Sequence, residues 1–209
     1  MSESNSKMSA NSSAGATSLS LIERLQRNEP PAWHDLVHLY SPLIIHWCRK
    51  AGLPSQDCAD INQEVFRSVV ANIQSFRKDR PSDTFRGWLR TITRHKILDH
   101  FRAAGRQPQG AGGTEAQFRL SQTEDDDDEL ERDEDDLKAE HELYRRAIEM
   151  IRADFHDQTW QAFWQVAIDG KSATEVAQTL SMRPGTVRVA KSRVLKRLRE
   201  QLGDLPRSQ

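Results

Sequence analysis

The chain has 209 residues, space for one ordinary domain or two small ones. Its hydrophobic fraction of 36% against a charged fraction of 29% fits small helical units joined by solvated segments better than one large core. No run of about 18 apolar residues occurs, so a membrane-spanning helix is excluded. The net charge of −1 argues by itself against a nucleic-acid partner, but the charges are strongly sorted along the chain.

Residues 1–18 are rich in Ser, Asn and Ala and lack the apolar core of a signal peptide, so they read as a disordered tail. Residues 19–103 carry Leu, Ile, Val, Trp and Phe at helical spacing. Leu19 to Gln26 is a short amphipathic helix, and Pro30 and Pro31 end it or open the next. Ala32 to Ala51 places Trp33, Leu36, Val37, Tyr40, Ile44 and Trp47 on one face, with a kink or break expected at Pro42. Gly52 and Pro54 stop that helix. Ser55 or Asp57 can cap the following one, which turns Ile61, Val65, Phe66 and Val69 inward. The composition KDRPSD makes residues 76–84 a loop. Phe85 to Ala103 forms a further helix whose apolar face holds Trp88, Leu89, Ile92, Ile97, Leu98 and Phe101. Cys48 and Cys58 have no ligand cluster beside them, so free buried thiols and a reducing, cytoplasmic setting are expected.

Residues 104–138 open with GRQPQGAGG and end in an acidic run from Glu124 to Asp136. Such a run repels itself and buries no core, so the segment is expected to be a flexible linker. Helical periodicity returns over 139–202, and 203–209 is a polar tail. The expected fold class is all-α, two small helical domains joined by a flexible acidic linker.

In the second domain, Ser172-Ala173-Thr174-Glu175 is a capping-box sequence opening a short helix that runs to Leu180. Ser181-Met182-Arg183 makes a tight turn, and Pro184 suits the first turn of the next helix. Val187, Val194, Leu195 and Leu198 lie on its inner side, and Gly185 to Arg199 contains no acid at all. A short helix, a sharp turn and a basic second helix form the helix-turn-helix that seats one helix in the DNA major groove. Thr186, Arg188 and Lys191 are placed to meet base edges. Arg183, Ser192, Arg193 and Lys196 complete the basic surface, which meets phosphates and sets position and salt dependence.

The segment Asp57-Cys58-Ala59-Asp60-Ile61-Asn62-Gln63-Glu64-Val65-Phe66 resembles the region 2 signature of sigma-70-type sigma factors. Phe85 to Asp99, FRGWLRTITRHKILD, resembles the segment that follows it, and the C-terminal unit is similar to region 4. With these two regions alone, the whole resembles the extracytoplasmic-function (ECF) subgroup. The chain departs from the family pattern at Thr93, His95, Val189 and Ala190.

The resemblance implies that Asp57, Asp60, Gln63, Glu64 and Phe66 bind core RNA polymerase at the β′ coiled coil. The acidic stripe of Asp57, Asp60 and Glu64 at helical spacing also suits an Arg-rich partner. It further implies that Arg77, Lys78, Arg80, Arg86, Arg90, Arg94, His95 and Lys96 contact the −10 element, with the loop from Arg77 to Thr84 holding a flipped base. Trp88 and Phe101, beside those basic residues, read as core. Region 4 would read the −35 element and meet the β flap, and an anti-sigma factor is a further expected partner. No catalytic constellation, metal site or cofactor motif is found, so an enzyme is not expected. A conventional repressor would leave Asp57 to Phe66 unexplained. An adaptor mimicking sigma surfaces would not need a basic reading helix. The acidic linker is expected to be a solvated tether, against the alternative that it covers the DNA-binding faces.

Overall fold

The structure is a computed structural model that describes residues 20–77, 83–103, 105 and 133–203. The N-terminal tail, residues 204–209, Lys78, Arg80, and residues 104 and 106–132 of the expected linker lie outside the described residues. The described residues are all-α, as expected, with no strand among them, and no helix among them is long and apolar enough to cross a membrane.

Helix α1 (Leu21–Gln26) is too short to persist alone. A capping box holds its start, with Ser20 Oγ accepting from the Glu23 N–H and Glu23 accepting from the Ser20 N–H, and Leu21 and Leu25 are buried. Helix α2 (Pro30–Lys50) runs through Pro42 without the expected break. An internal proline costs about 3 kcal/mol, whereas burying one large aliphatic side chain returns about 1.5–3 kcal/mol. Leu39, Tyr40, Leu43 and Ile44 are all buried around Pro42, which is enough to offset it. The buried face of α2 is Ala32, Leu36, Leu39, Tyr40, Leu43, Ile44 and Cys48. Val37, expected on that face, points outward at 45% exposure, because Leu39, Leu43 and Cys48 turn the apolar stripe to one side of it.

Helix α3 (Ser55–Asn72) starts after Pro54, and neither Ser55 nor Asp57 caps it. Asp57 instead sits in the first turn, where a negative charge is favoured by the helix dipole. A 3-10 turn (Ile73–Ser75) follows, and then α4 (Phe85–Ala103), which buries Phe85, Leu89, Thr93, Ile97 and Phe101. Cys48 and Cys58 are free and buried where α2 meets α3. Burial, reinforced by Cys58, pushes the Cys48 thiol up to about 12.

Helix α5 (Glu134–Ile151) begins inside the acidic run, so 134–138 are helix rather than linker. Asp133 caps it by accepting from the Asp135 and Asp136 N–H groups at 3.1 and 2.9 Å. Acids that repel one another along a chain are favoured at a helix start, where they face orphan N–H donors. A 3-10 turn (Arg152–Asp154), α6 (Asp157–Ala167), α7 (Ala173–Thr179) and α8 (Pro184–Leu202) complete the second half.

One hydrophobic core runs from α1–α4 into the second half through Leu143, Ala147, Ile151, Phe163, Val194, Leu198 and Leu202. A smaller cluster of Ala162, Val176, Ala177, Val187 and Ala190 holds α6, α7 and α8 together. The Tyr40 hydroxyl donates to the Leu202 carbonyl at 2.7 Å in a buried contact. Gly203 follows at φ 69°, a left-handed conformation that favours glycine, and it rests against the flexible end of Ile22. Contact between the halves therefore reaches from α5 to the end of α8.

With Cys48 buried and its thiol held protonated, an aromatic disulfide reagent at pH 8 should leave it unmodified in the folded chain and modify it after denaturation. Rapid native labelling of Cys48, read by mass spectrometry, would contradict the packing of α2 on α3.

Candidate nucleic-acid interface

Two surfaces carry the residues singled out by the sequence. The first is built by α7, the turn 180–183 and α8. The capping box is formed as expected, with Ser172 Oγ accepting from the Glu175 N–H at 3.2 Å and Glu175 accepting from the Ser172 N–H at 2.8 Å. Hydrogen bonding from Ser172, its backbone N–H first, holds the Glu175 carboxyl below its usual range. Ser181 takes the left-handed conformation at φ 52°, which bends the chain sharply, and Gln158 Nε2 donates to the Leu180 carbonyl at 3.1 Å to hold the bend against α6. Pro184 begins α8, where its missing N–H leaves no bond unmade.

Val187, Ala190, Val194, Leu198, Gln201 and Leu202 bury one side of α8. The expected Leu195 is only half-buried, at the edge of that side. Arg183, Thr186, Arg188, Ser192, Arg193 and Lys196 are exposed and Lys191 is half-buried. Among the described residues, the ion pairs on this helix are Lys196–Glu200 at 3.8 Å and Arg197–Asp154 at 2.7 Å. From Gly185 to Arg199 the outer face is therefore one-signed, with the half-buried Glu200 at its end. Val189 lies within it at 48% exposure, an apolar side chain among basic and hydroxyl groups.

The second surface is formed by α3 and α4. Asp60, Gln63 and Glu64 are exposed on α3, while Phe66 is half-buried against the core. Asp57 pairs with His100 at 3.2 Å and Glu64 with Lys96 at 3.7 Å. Lys96, expected on the DNA side, thus faces a residue expected on the polymerase side. The i, i+3, i+4 spacing that groups acids along α3 says nothing about α4 beside it. Gln63 accepts from Arg67 at 3.5 Å.

Arg77 is exposed and donates to the Gln74 and Phe76 carbonyls at 2.7 and 2.9 Å. Gln26 Nε2 donates to the Ile73 and Phe76 carbonyls at 3.1 and 3.2 Å, tying the start of the expected base-reading loop to α1. A cleft of about 420 Å³ opens there, with Glu23, Gln26, Gln74 and Arg77 among its lining residues. Arg86, Arg90 and Arg94 are half-buried and His95 is exposed. Trp88 packs against Phe76 and Phe85 with ring centroids at 5.0 and 5.6 Å, and Phe101 is buried, so both aromatics serve the core. The aromatic that meets the basic face is Trp47, whose ring lies 5.9 Å from the Arg90 guanidinium carbon. Trp47 lies on α2, and no periodicity within α4 could have identified it.

Arg86 reaches in an unexpected direction, to Glu140 of α5 at 2.7 Å. Next to that contact, Asp136 is 5% exposed and accepts from Lys50 at 2.5 Å, with His46 Nε2 at 2.9 Å. Lys50 also meets Asp133 at 2.9 Å. Burial alone would raise the Asp136 carboxyl, but the hydrogen bonds from Lys50 and His46 outweigh it and hold the group below its usual range.

Residues 36–107 match the family described as Sigma-70 region 2. The chain is 31% identical over 185 residues to the ECF RNA polymerase sigma factor ShbA of Streptomyces griseus, covering 86% of this chain and 92% of that protein. It is 27% identical over 172 residues to the ECF RNA polymerase sigma factor SigE of Mycolicibacterium smegmatis, covering 82% and 62% of the two. The ECF RNA polymerase sigma-E factor of Escherichia coli K12 is 27% identical over 170 residues, covering 80% and 85%.

Because Ser181 holds a left-handed conformation that disfavours side chains, Ser181→Gly should stabilise the chain by about 1 kcal/mol. In a chain of this size that raises the melting temperature by about 2–4 °C. A fall in melting temperature, followed by circular dichroism, would contradict the geometry of the turn.

Proposed function

This chain belongs to the ECF RNA polymerase sigma factors, and from that membership we propose how its helices divide the work of promoter-specific transcription initiation. The observation that carries the reading is the acid-free outer face of α8 behind a capped short helix and a left-handed turn. That face enters the major groove at the −35 element. Thr186, Arg188 and Lys191 meet base edges, while Arg183, Ser192, Arg193 and Lys196 hold phosphates. Val189 adds an apolar contact that suits the C5-methyl of a thymine.

On the first half, Asp60, Gln63 and Glu64 present polar groups to the β′ coiled coil of core polymerase, and Phe66 supports them from the core. Asp57 contributes to the same edge while paired with His100. The adjoining basic face, which meets that edge at the Lys96–Glu64 pair, contacts the −10 element. Arg86 and Arg90 supply charge, with Arg94, His95 and Lys96 further along α4, and Trp47 offers the ring that opened DNA can stack on. Unstacking a base costs a few kcal/mol, and the cleft beside Arg77, lined by Glu23, Gln26 and Gln74 together with Ile22 and Phe76, supports its capture. Trp164 and Ile168, exposed one helical turn apart near the end of α6, give the second half an apolar contact for the β flap. The division into a region 2 unit (19–103), a tether over 104–132 and a region 4 unit from α5 to α8 belongs to the same reading.

Run-off transcription with core polymerase tests it. The chain should give a promoter-specific product as the only added factor, and a conventional regulator would give none. Arg188→Ala should cost about 1–3 kcal/mol, roughly fivefold to 150-fold in promoter binding, and relax specificity at one position of the −35 element. Lys196→Ala should weaken all sequences alike and lower the salt slope by about one. Equal behaviour of the two variants would contradict the assignment of base and phosphate contacts. Asp60→Lys should abolish association with core polymerase while leaving DNA binding by the isolated chain intact. Unchanged co-elution with core polymerase would remove Asp60 from that surface.

A further inference from the structure

Two of the seven histidines stand together on a face that none of the surfaces above uses. His34 and His38 are four positions apart on α2, and both are exposed. Leu36, Leu39 and Leu43 take the core side of that stretch of helix, which leaves the two imidazoles on its outer side. His46 and His100 are engaged elsewhere, with Asp136 at 2.9 Å and Asp57 at 3.2 Å. Among the described residues, neither His34 nor His38 has a hydrogen-bonded or charged partner for its ring. The other exposed histidines, His95, His141 and His156, have no second imidazole three or four positions away.

Residues four apart on a helix carry Cβ atoms about 5–6 Å from each other. Two rings at that spacing can each turn a nitrogen to one ion, at metal–nitrogen bonds of about 2.0–2.1 Å. The same spacing supplies the two histidines of the H-E-x-x-H zinc motif. Here the intervening acid is Asp35, and it is turned to other work. Its Oδ2 accepts from Arg24 at 3.0 Å and from Gln201 at 3.3 Å. Among the described residues no group of three or more His, Cys, Asp or Glu could hold a metal, so water must fill the remaining positions. Imidazole selects zinc, nickel and copper ions over magnesium and calcium, which take oxygen ligands.

The backbone gives an occupied site a consequence for α2. Pro42 lacks the N–H that would bond the His38 carbonyl, so the helix is one hydrogen bond short in the turn that begins at His38. An ion held by His34 and His38 ties together the turn just before it.

We propose that His34 and His38 form a two-histidine chelating site on α2 for a divalent transition-metal ion of the zinc and nickel class, completed by water and open to solvent. The site uses no residue assigned to DNA or to polymerase. Binding there stabilises the folded chain, because the spacing that brings the rings to one ion exists only in the helix.

Ni²⁺ is the probe, and the metal-free full-length chain is titrated with NiCl₂ by calorimetry. The tightest site should weaken at least about tenfold in His34→Ala and also in His38→Ala, since each variant leaves one imidazole where two had acted together. Both positions are exposed in a helix, where Ala is favoured, so the variants keep the fold, and circular dichroism checks this. At free Ni²⁺ a hundredfold above the wild-type dissociation constant, the melting temperature should rise by about 5–10 °C over the chelator-treated wild type. In either variant at the same Ni²⁺ concentration the rise should be about half that or less. Affinity that survives both substitutions would overturn the proposal. So would affinity lost in only one of them, which is the behaviour of a lone imidazole rather than a chelate.

Discussion

A carboxylate buried to 5% exposure organises the contact between the two halves. Taking such a group out of water costs several kcal/mol unless opposite charge and hydrogen bonds replace its hydration. Asp136 obtains both from Lys50 and His46, residues 86 and 90 positions earlier in the chain. The match works only in one register of α5 against α2, because a slip of one turn would leave the carboxylate unpartnered in a half-buried seam. Once that register is set, Leu143, Ala147 and Ile151 fall into the core already formed by α1–α4. The end of α8 then comes to rest on Tyr40, and Gly203 on Ile22.

The same contact joins basic groups of α2 and α4 to carboxylates of α5. The compact chain gains core burial by holding the two halves together. Charge pairs give this seam a specificity that a wholly apolar one would lack. Their geometry is specific when closed, and the carboxylates and the basic groups are both readily hydrated when apart. The outer face of α8 takes no part in that seam. The outer side of α8 points away from its buried side, and Arg183, Arg188 and Arg193 remain exposed in the compact chain.

Local features were legible in the residues themselves. Ser172 to Glu175 forms its capping box, Pro184 opens α8, and Phe85 to Ala103 is one helix, because each depends on atoms within a few positions of one another. The capping box at Ser20 and Glu23 has the same spacing signal as the one at Ser172, and could have been found by it. Val37 was misplaced for a different reason. Several apolar residues on α2 permit more than one stripe, and the neighbours of the helix select among them. The acidic run misled by averaging. Its last residues are a helix start as well as a set of mutually repelling charges, and only a partner with basic groups decides between those outcomes.

The site follows the same division. That α8 is basic on its outside and apolar on its inside is decided by 3.6-residue periodicity, and so is the acidic edge of α3. Both were available before any coordinates, and so was the membership of the chain in a family that directs transcription initiation. What stands across from those faces was not available. Glu64 beside Lys96, Trp47 beneath Arg90 and Glu140 on Arg86 each join residues from different helices. The physical reason is the range of the forces involved. Backbone hydrogen bonds and capping act within a turn or two, and composition reports them directly. Ion pairs, ring contacts and burial between helices depend on relative placement, which exists only once the chain has packed.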